Sequence, residues 1–203
     1  MSSEHYFSQD PSGDFKPKQI KVQLLGHAVS VTTAGGIFSP DGVDKGTAIL
    51  LDHIDLAPRG GNLLDIGCGW GPIAISLAMR APQSLVWAVD VNERSLELTR
   101  ANAESLGLTN VRACRPEDVP ADLVFDGIWS NPPIRVGKEV LHDILQTWLP
   151  RLNSGASAYL VVQKNLGSDS LHRWLDATLP ASFETSRVDT QKAFRVLRVW
   201  NRG

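Results

Sequence analysis

Asn131-Pro132-Pro133 is the segment whose residue types could do the most specific chemistry. Proline at 132 and 133 drives the residue before each out of the α region, giving a stiff extended turn. Such a turn can hold the Asn131 side-chain oxygen and the Pro132 carbonyl at a fixed separation. Both are acceptors, so together they can receive the two N–H bonds of an –NH2 group. The amine of a base or an amide is a poor nucleophile because its lone pair is delocalised. Two fixed acceptors favour pyramidal nitrogen and stabilise the positive charge it gains on attack. Taken alone the tripeptide is also an ordinary turn, so its chemistry depends on what stands opposite.

A second segment, Leu64-Asp65-Ile66-Gly67-Cys68-Gly69-Trp70-Gly71-Pro72, has glycines at intervals of two. A dinucleotide fingerprint wants G-x-G-x-x-G, and Pro72 occupies its third glycine position. Proline there is a good first helical residue but a poor close-packing one. The absence of G-K-[ST] excludes a nucleoside-triphosphate loop. Asp65 at the strand end can pair with a ligand ammonium, and the helix N-terminus that follows favours a ligand carboxylate. An amino acid moiety needs that combination, and S-adenosyl-L-methionine carries one. Gly67, Cys68, Gly69 and Gly71 are therefore expected around it. Asp90, about 25 residues beyond Asp65, stands where an acidic residue binds ribose hydroxyls, with Val91 and Asn92 beside it. The competing role for Asp90 is capping the next helix, a task Asn92 shares. Glu117-Asp118 is either the receiver of the adenine amino group or a plain solvent-exposed loop.

These motifs need a frame that brings them to one edge, and the rest of the chain supplies its pattern. Gln19–Leu24 and Ala28–Thr33 alternate around Leu25-Gly26-His27, a hairpin signal, after a polar lead-in over residues 1–17. Asp44 can cap a helix with apolar Ile49, Leu50 and Ile54. From Asn62 onward strands and helices alternate. Strands are expected at 63–66, 85–90, 111–114, 123–129 and 156–163, with helices after the first, second, fourth and fifth. The last helix is expected to be capped by Ser168. Phe183–Val188 and Phe194–Trp200 then close the sheet as an antiparallel pair. Such alternation predicts an α/β fold, a doubly wound and mostly parallel seven-stranded sheet. Ligands in such sheets bind beyond the carboxyl ends of the strands, where the motifs fall.

Asp65-x-Gly-x-Gly-x-Gly, Asp90 and Asn131-Pro-Pro together resemble the class I amino-methyltransferases, and more closely the RsmC-like group. The resemblance extends to Gly36-Ile-Phe38-Ser-Pro-Asp-Gly-Val-Asp44-Lys-Gly-Thr47, to Ile134-Arg135-Val-Gly-Lys138 and to Val161-Val-Gln163-Lys164-Asn-Leu-Gly. It implies a Rossmann-like fold, S-adenosyl-L-methionine as cofactor, and a guanine N2 in ribosomal RNA or a ribosomal subunit as acceptor. Asn131, Pro132 and Pro133 become the catalytic turn. Phe38 and Thr47 help close the cofactor site with Asp44; core packing and helix capping are the competing roles of Phe38 and Asp44. Ile134 stands where many such enzymes carry a stacking aromatic, for which Phe38 or Trp129 is the expected replacement. Arg135 and Lys138 are either phosphate contacts or an ordinary charged helix start. Long members carry a further N-terminal domain. Here residues 1–34 are expected to form an N-terminal extension with a hairpin and 35–203 the methyltransferase domain, so specificity is expected from this domain, a homodimer or a partner.

Composition narrows the alternatives. With 203 residues, 42% hydrophobic and 21% charged, the chain has an ordinary globular make-up. No run approaches the ~20 apolar residues that span a bilayer and the first residues lack a signal pattern, so a cytoplasmic protein is expected. Two cysteines and five scattered histidines show no metal spacing, and no metal is expected. A net charge of −2 argues against a strongly basic nucleic-acid binder. Protein glutamine N5 methylation uses the same acceptor chemistry and stays open, as does a non-catalytic RNA-binding module that keeps the fold. The glycine spacing disfavours an NAD dehydrogenase.

Overall fold

The computed structural model describes residues 16–203, apart from the side chain of Arg135. The expected lead-in lies outside the described residues as far as residue 15. Strands β1 (Lys18–Leu24) and β2 (His27–Thr33) pair antiparallel with Val22 opposite Val29. Leu25 and Gly26 join them with positive φ at both positions, 51° and 77°, the hairpin turn whose twist matches the strands.

The main sheet contains β3 (Gly60–Ile66), β4 (Gln83–Val89), β5 (Val111–Cys114), β6 (Phe125–Ser130), β7 (Leu152–Gln163), β8 (Phe183–Gln191) and β9 (Phe194–Asn201). Their order is β5-β4-β3-β6-β7-β9-β8. Neighbours from β5 to β7 are parallel, and β9 runs antiparallel to both β7 and β8. The expected closing pair is present, with the later strand inserted between β7 and its partner. The chain moves outward one way through β4 and β5, then returns to the other side of β3 as β6. That reversal opens a crevice at the carboxyl ends of β3 and β6, where the two motifs emerge.

Helices α1 (Lys45–Leu51), α2 (Pro72–Arg80) and α3 (Glu93–Ser105) cover one face, and α4 (Lys138–Trp148) and α5 (Ser168–Thr178) the other. Alternation along β3 shows how one strand serves both layers. Leu63 belongs to one core cluster with Ile49, Ile73, Leu77 and Leu96, while Leu64 belongs to the other with Leu141, Leu145, Leu171 and Leu175. Leu141, Leu145 and Trp148 recur along one side of α4, the spacing of a core-facing stripe. The hairpin lays Val22, Leu24 and Val31 against Trp70, Ile75 and Leu98, outside the α2–α3 layer. Among the described residues no helix is long and apolar enough to cross a membrane.

Two local expectations need correction. Ser168 does not cap α5; the cap position is Gly167, at φ 100°, and Ser168 is the first helical residue. Its hydroxyl accepts instead from Arg195 Nη1 at 3.2 Å. Trp129 cannot replace a stacking aromatic, because it is fully buried in the sheet core and stacks on Tyr159 at 5.0 Å. Alternation on β6 aims it at the α1–α2 layer rather than at the strand end.

Candidate active site

Parallel pairing sets Asp65 beside Trp129, so the next residues of both strands leave the sheet together. Ser130 Oγ donates to the Ile66 carbonyl at 2.7 Å and ties the two exits. On the other side, Gly67 N and Cys68 N both donate to the Val89 carbonyl, at 2.8 and 3.1 Å. The glycine turn, Asp90 and the Asn-Pro-Pro turn thereby surround one cavity of about 290 Å³. A smaller recess continues beneath Phe38 toward Thr47, Cys68 and Gly69.

Gly67 and Gly69 adopt φ of 77° and 57°, a region that L side chains rarely enter. A Cβ on either would meet nothing nearer than 3.9 Å, so the turn bends around open space. Gly71 differs. It caps α2 at φ 97°, and a Cβ there would stand 3.1 Å from Thr99 Oγ1. Gly71 is thus required by close helix packing rather than by the cavity.

Asp90 lines the cavity with both carboxylate oxygens already engaged. Oδ2 accepts from Gly69 N at 3.0 Å and Oδ1 from Asn92 N at 2.9 Å. Burial raises its pKa against the pull of these donors. Helix α3 is capped by Asn92, whose Oδ1 accepts from Arg94 N, which frees Asp90 from that role. Asp65 is fully buried behind Gly67 and does not itself line the cavity. Its Oδ2 accepts from Ala74 N at 3.0 Å, and its Oδ1 is buried without a partner. Burial pushes this carboxyl up to about 8, the Ala74 N–H opposes the shift, and the Asp90 charge adds to it. An orphaned buried acceptor of this kind costs stability unless a proton or a ligand donor satisfies it.

The amide of Asn131 is anchored from one side. Nδ2 donates to Asp44 Oδ2 at 2.9 Å and to Thr47 Oγ1 at 3.1 Å. A carboxylate only accepts, so the atom facing Asp44 must be the nitrogen, and Oδ1 is left for the cavity. Asp44 Oδ2 also takes Gly46 N at 2.8 Å and Thr47 N at 3.3 Å, so it caps α1 as the sequence suggested. Pro133, at φ −74° and ψ 74°, centres an inverse γ-turn in which Ile134 N donates to the Pro132 carbonyl at 2.8 Å. One of that carbonyl's two acceptor positions is therefore already used.

Other expected residues divide clearly. Phe38, Pro132, Pro133 and Ile134 line the cavity, and Phe38 is 45% exposed there. Thr47 and Cys68 line the recess; burial first, then Asp90 and Asp65, pushes the Cys68 thiol well up. Asn92 is buried and donates to the Gly36 carbonyl, holding the preceding loop. Val91 and Lys138 are exposed and outside the lining, and so are Glu117 and Asp118, on a 3-10 turn after β5. Gln163, Leu166 and Phe194 line the cavity although sequence reasoning assigned them no role. Gln163 and Leu166 fall in a segment of the family resemblance; nothing in the sequence singled out Phe194.

The family model described as "Methyltransferase small domain" matches residues 28–198. The uncharacterized protein YbxB of Bacillus subtilis is 34% identical over 199 residues, 97% of this chain and 98% of that protein. Ribosomal RNA small subunit methyltransferase C of Stutzerimonas stutzeri is 32% identical over 141 residues, 70% of this chain. The match spans 42% of that longer protein. Among solved structures, T. thermophilus 16S rRNA N2 G1207 methyltransferase (RsmC), in complex with AdoMet and guanosine, aligns with a TM-score of 0.81. The alignment covers 95% of this chain and 52% of that one, at 22% identity, a likeness of fold.

Proposed function

This chain belongs to the methyltransferase small domain family as an RsmC-like class I methyltransferase, and we propose that it methylates guanine N2 in ribosomal RNA. When bound, its cofactor S-adenosyl-L-methionine supplies an electrophilic methyl group on a sulfonium. The residues of the crevice fit such a group. Gly67 and Gly69 open the turn, Asp90 offers carboxylate edges toward ribose hydroxyls, and the orphaned Asp65 Oδ1 lies behind the turn.

The reading rests on one observation above the rest: the Asn131 amide is held through its nitrogen by Asp44 and Thr47. The oxygen is left to accept from an amino group, with the second acceptor position of the Pro132 carbonyl beside it. Asn131 cannot take a proton, so its oxygen holds and polarises the amine rather than deprotonating it. Fixing the nitrogen in line with the methyl group supplies the rest through orientation. A paired amino group cannot reach this position, so the base must be unpaired or flipped. Lys138, exposed at the start of α4 beside the turn, and Arg135 are the proposed phosphate contacts.

The test is transfer of labelled methyl to undermethylated ribosomal RNA, ribosomal subunits and protein extract, with Asn131→Ala as control. The expected result is label in RNA as N2-methylguanine, lost in the variant. Label appearing only in protein, as N5-methylglutamine, would overturn the RNA assignment.

A further inference from the structure

The cavity extends past Asn131 to a polar side chain that the transfer chemistry does not use. Gln163 is the last residue of β7, half-buried, and lines the cavity with Leu166 and Phe194. Val161 and Tyr159 belong to the α1–α2 side of the sheet, so alternation sends Gln163 to that side as well. Phe194 is its direct partner on β9 and reaches the N-terminus of α1, where a Cβ on Gly46 would stand 3.0 Å from its ring. That helix start also anchors the Asn131 amide. Gln163 and Asn131 thus face one space from neighbouring strands. Among the described residues, the Gln163 amide has no hydrogen-bond partner.

An unpaired amide in a half-buried wall offers one donor and one acceptor side by side. On guanine, the atoms following the N2 amine along the Watson–Crick edge are N1–H, a donor, and O6, an acceptor. Gln163 Oε1 and Nε2 complement that pair with two parallel hydrogen bonds. Adenine, placed with its own amine on Asn131, would present a bare N1 and then C2–H. Cytosine would present two acceptors in a row. Only guanine matches both atoms of the amide. The flat base also needs apolar contact, which Ile134, Leu166 and Phe194 supply around the same cavity.

Resting on the guanine-N2 reading above, we propose that Gln163 is the specificity-determining residue that reads N1–H and O6 of the acceptor guanine. It would do so only on an unpaired base, since both atoms are occupied in a duplex.

Ribosomal RNA fragments synthesised chemically with either guanosine or 2-aminopurine at the acceptor position, as mapped by methyl transfer, test this directly. 2-Aminopurine keeps the N2 amine but lacks both O6 and N1–H. Methylated nucleosides are quantified by mass spectrometry, and cofactor binding is measured in parallel to certify folding. The wild type should prefer guanosine roughly tenfold or more, the discrimination expected of a bidentate contact. Gln163→Leu should bring that ratio close to one. Gln163→Met, which keeps the side chain's length but has no donor, should do the same. Either variant, folded and with the guanosine preference intact, would overturn the role of Gln163 while guanine-N2 methylation stands. Equal loss on both bases with cofactor binding intact would overturn it too. No methylated purine at all with the wild type, and label in protein only, would overturn the underlying reading and this inference together.

Discussion

Asn131 Nδ2 donates to Asp44 Oδ2 across 2.9 Å, joining the end of β6 to the first turn of α1, 87 positions apart. The same carboxylate oxygen caps that helix through Gly46 N and Thr47 N. One side chain therefore sets the start of α1 and the rotamer of the proposed catalytic amide.

The two tasks of Asp44 separate experimentally. Asp44→Ala removes both and should lower stability by about 1 kcal/mol, the usual cost of a lost cap. Asp44→Ser keeps a capping oxygen but is one atom too short to hold Asn131 as well. Its melting temperature should recover toward the wild type, while kcat stays depressed, on the order of tenfold, with cofactor affinity little changed. Full recovery of kcat in Asp44→Ser would show that the amide orients itself.

Much of the frame was legible because buried parallel strands read as short apolar runs ended by glycine or Asx residues. Leu63–Ile66 before Gly67, broken only by Asp65, and Val86–Val89 before Asp90 are such runs, and the strand-end rule placed the motifs beyond them. The anchoring of Asn131 was not legible, because no local pattern reports a contact across 87 residues. Phe194 became a wall of the site only through the insertion of β9 beside β7, a choice of strand order that periodicity cannot express. The orientation of Trp129 is illegible for a related reason: its nearness to Asn131 in sequence says nothing of the sheet face it occupies.

The three glycines of the turn should fail in different ways when replaced by alanine. Each has positive φ, so each replacement should cost about 1–2 kcal/mol in backbone strain. Gly71→Ala also presses on Thr99 and Ile75, at 3.1 and 3.2 Å, and should be the least stable in urea denaturation. Gly67→Ala, whose methyl would enter open space, should instead show the larger loss of S-adenosyl-L-methionine affinity by calorimetry. The reverse ranking would place the cofactor elsewhere along the turn.

Lys138→Ala should weaken RNA binding and reduce its dependence on salt. One lost phosphate contact lowers the slope of log K against log salt by about 0.7 to 0.9. Exposure at the start of α4, outside the cavity, means that cofactor affinity should not move. An unchanged salt slope would leave Lys138 as an ordinary charged helix start.

Asp65 sets a pH dependence whose sign follows from burial. Its carboxyl is pushed from an ordinary 3.8 up to about 8, so the cofactor-free fold prefers the protonated acid. The stability this confers is complete below about 3.8 and is lost as pH rises through about 8. Asp65→Asn has no such proton to lose, and its melting temperature should gain on the wild type between pH 6 and pH 9. If the cofactor ammonium engages the orphaned Oδ1, ionisation becomes favourable on binding. Calorimetry near pH 7 in buffers of differing ionisation enthalpy should then record release of close to one proton, fading above pH 8. The asparagine variant should release none and bind more weakly. Equal affinity without proton release in either protein would make Asp65 a neutral strut beneath the turn, braced on Ala74 N, and would move ammonium recognition to groups that line the cavity itself.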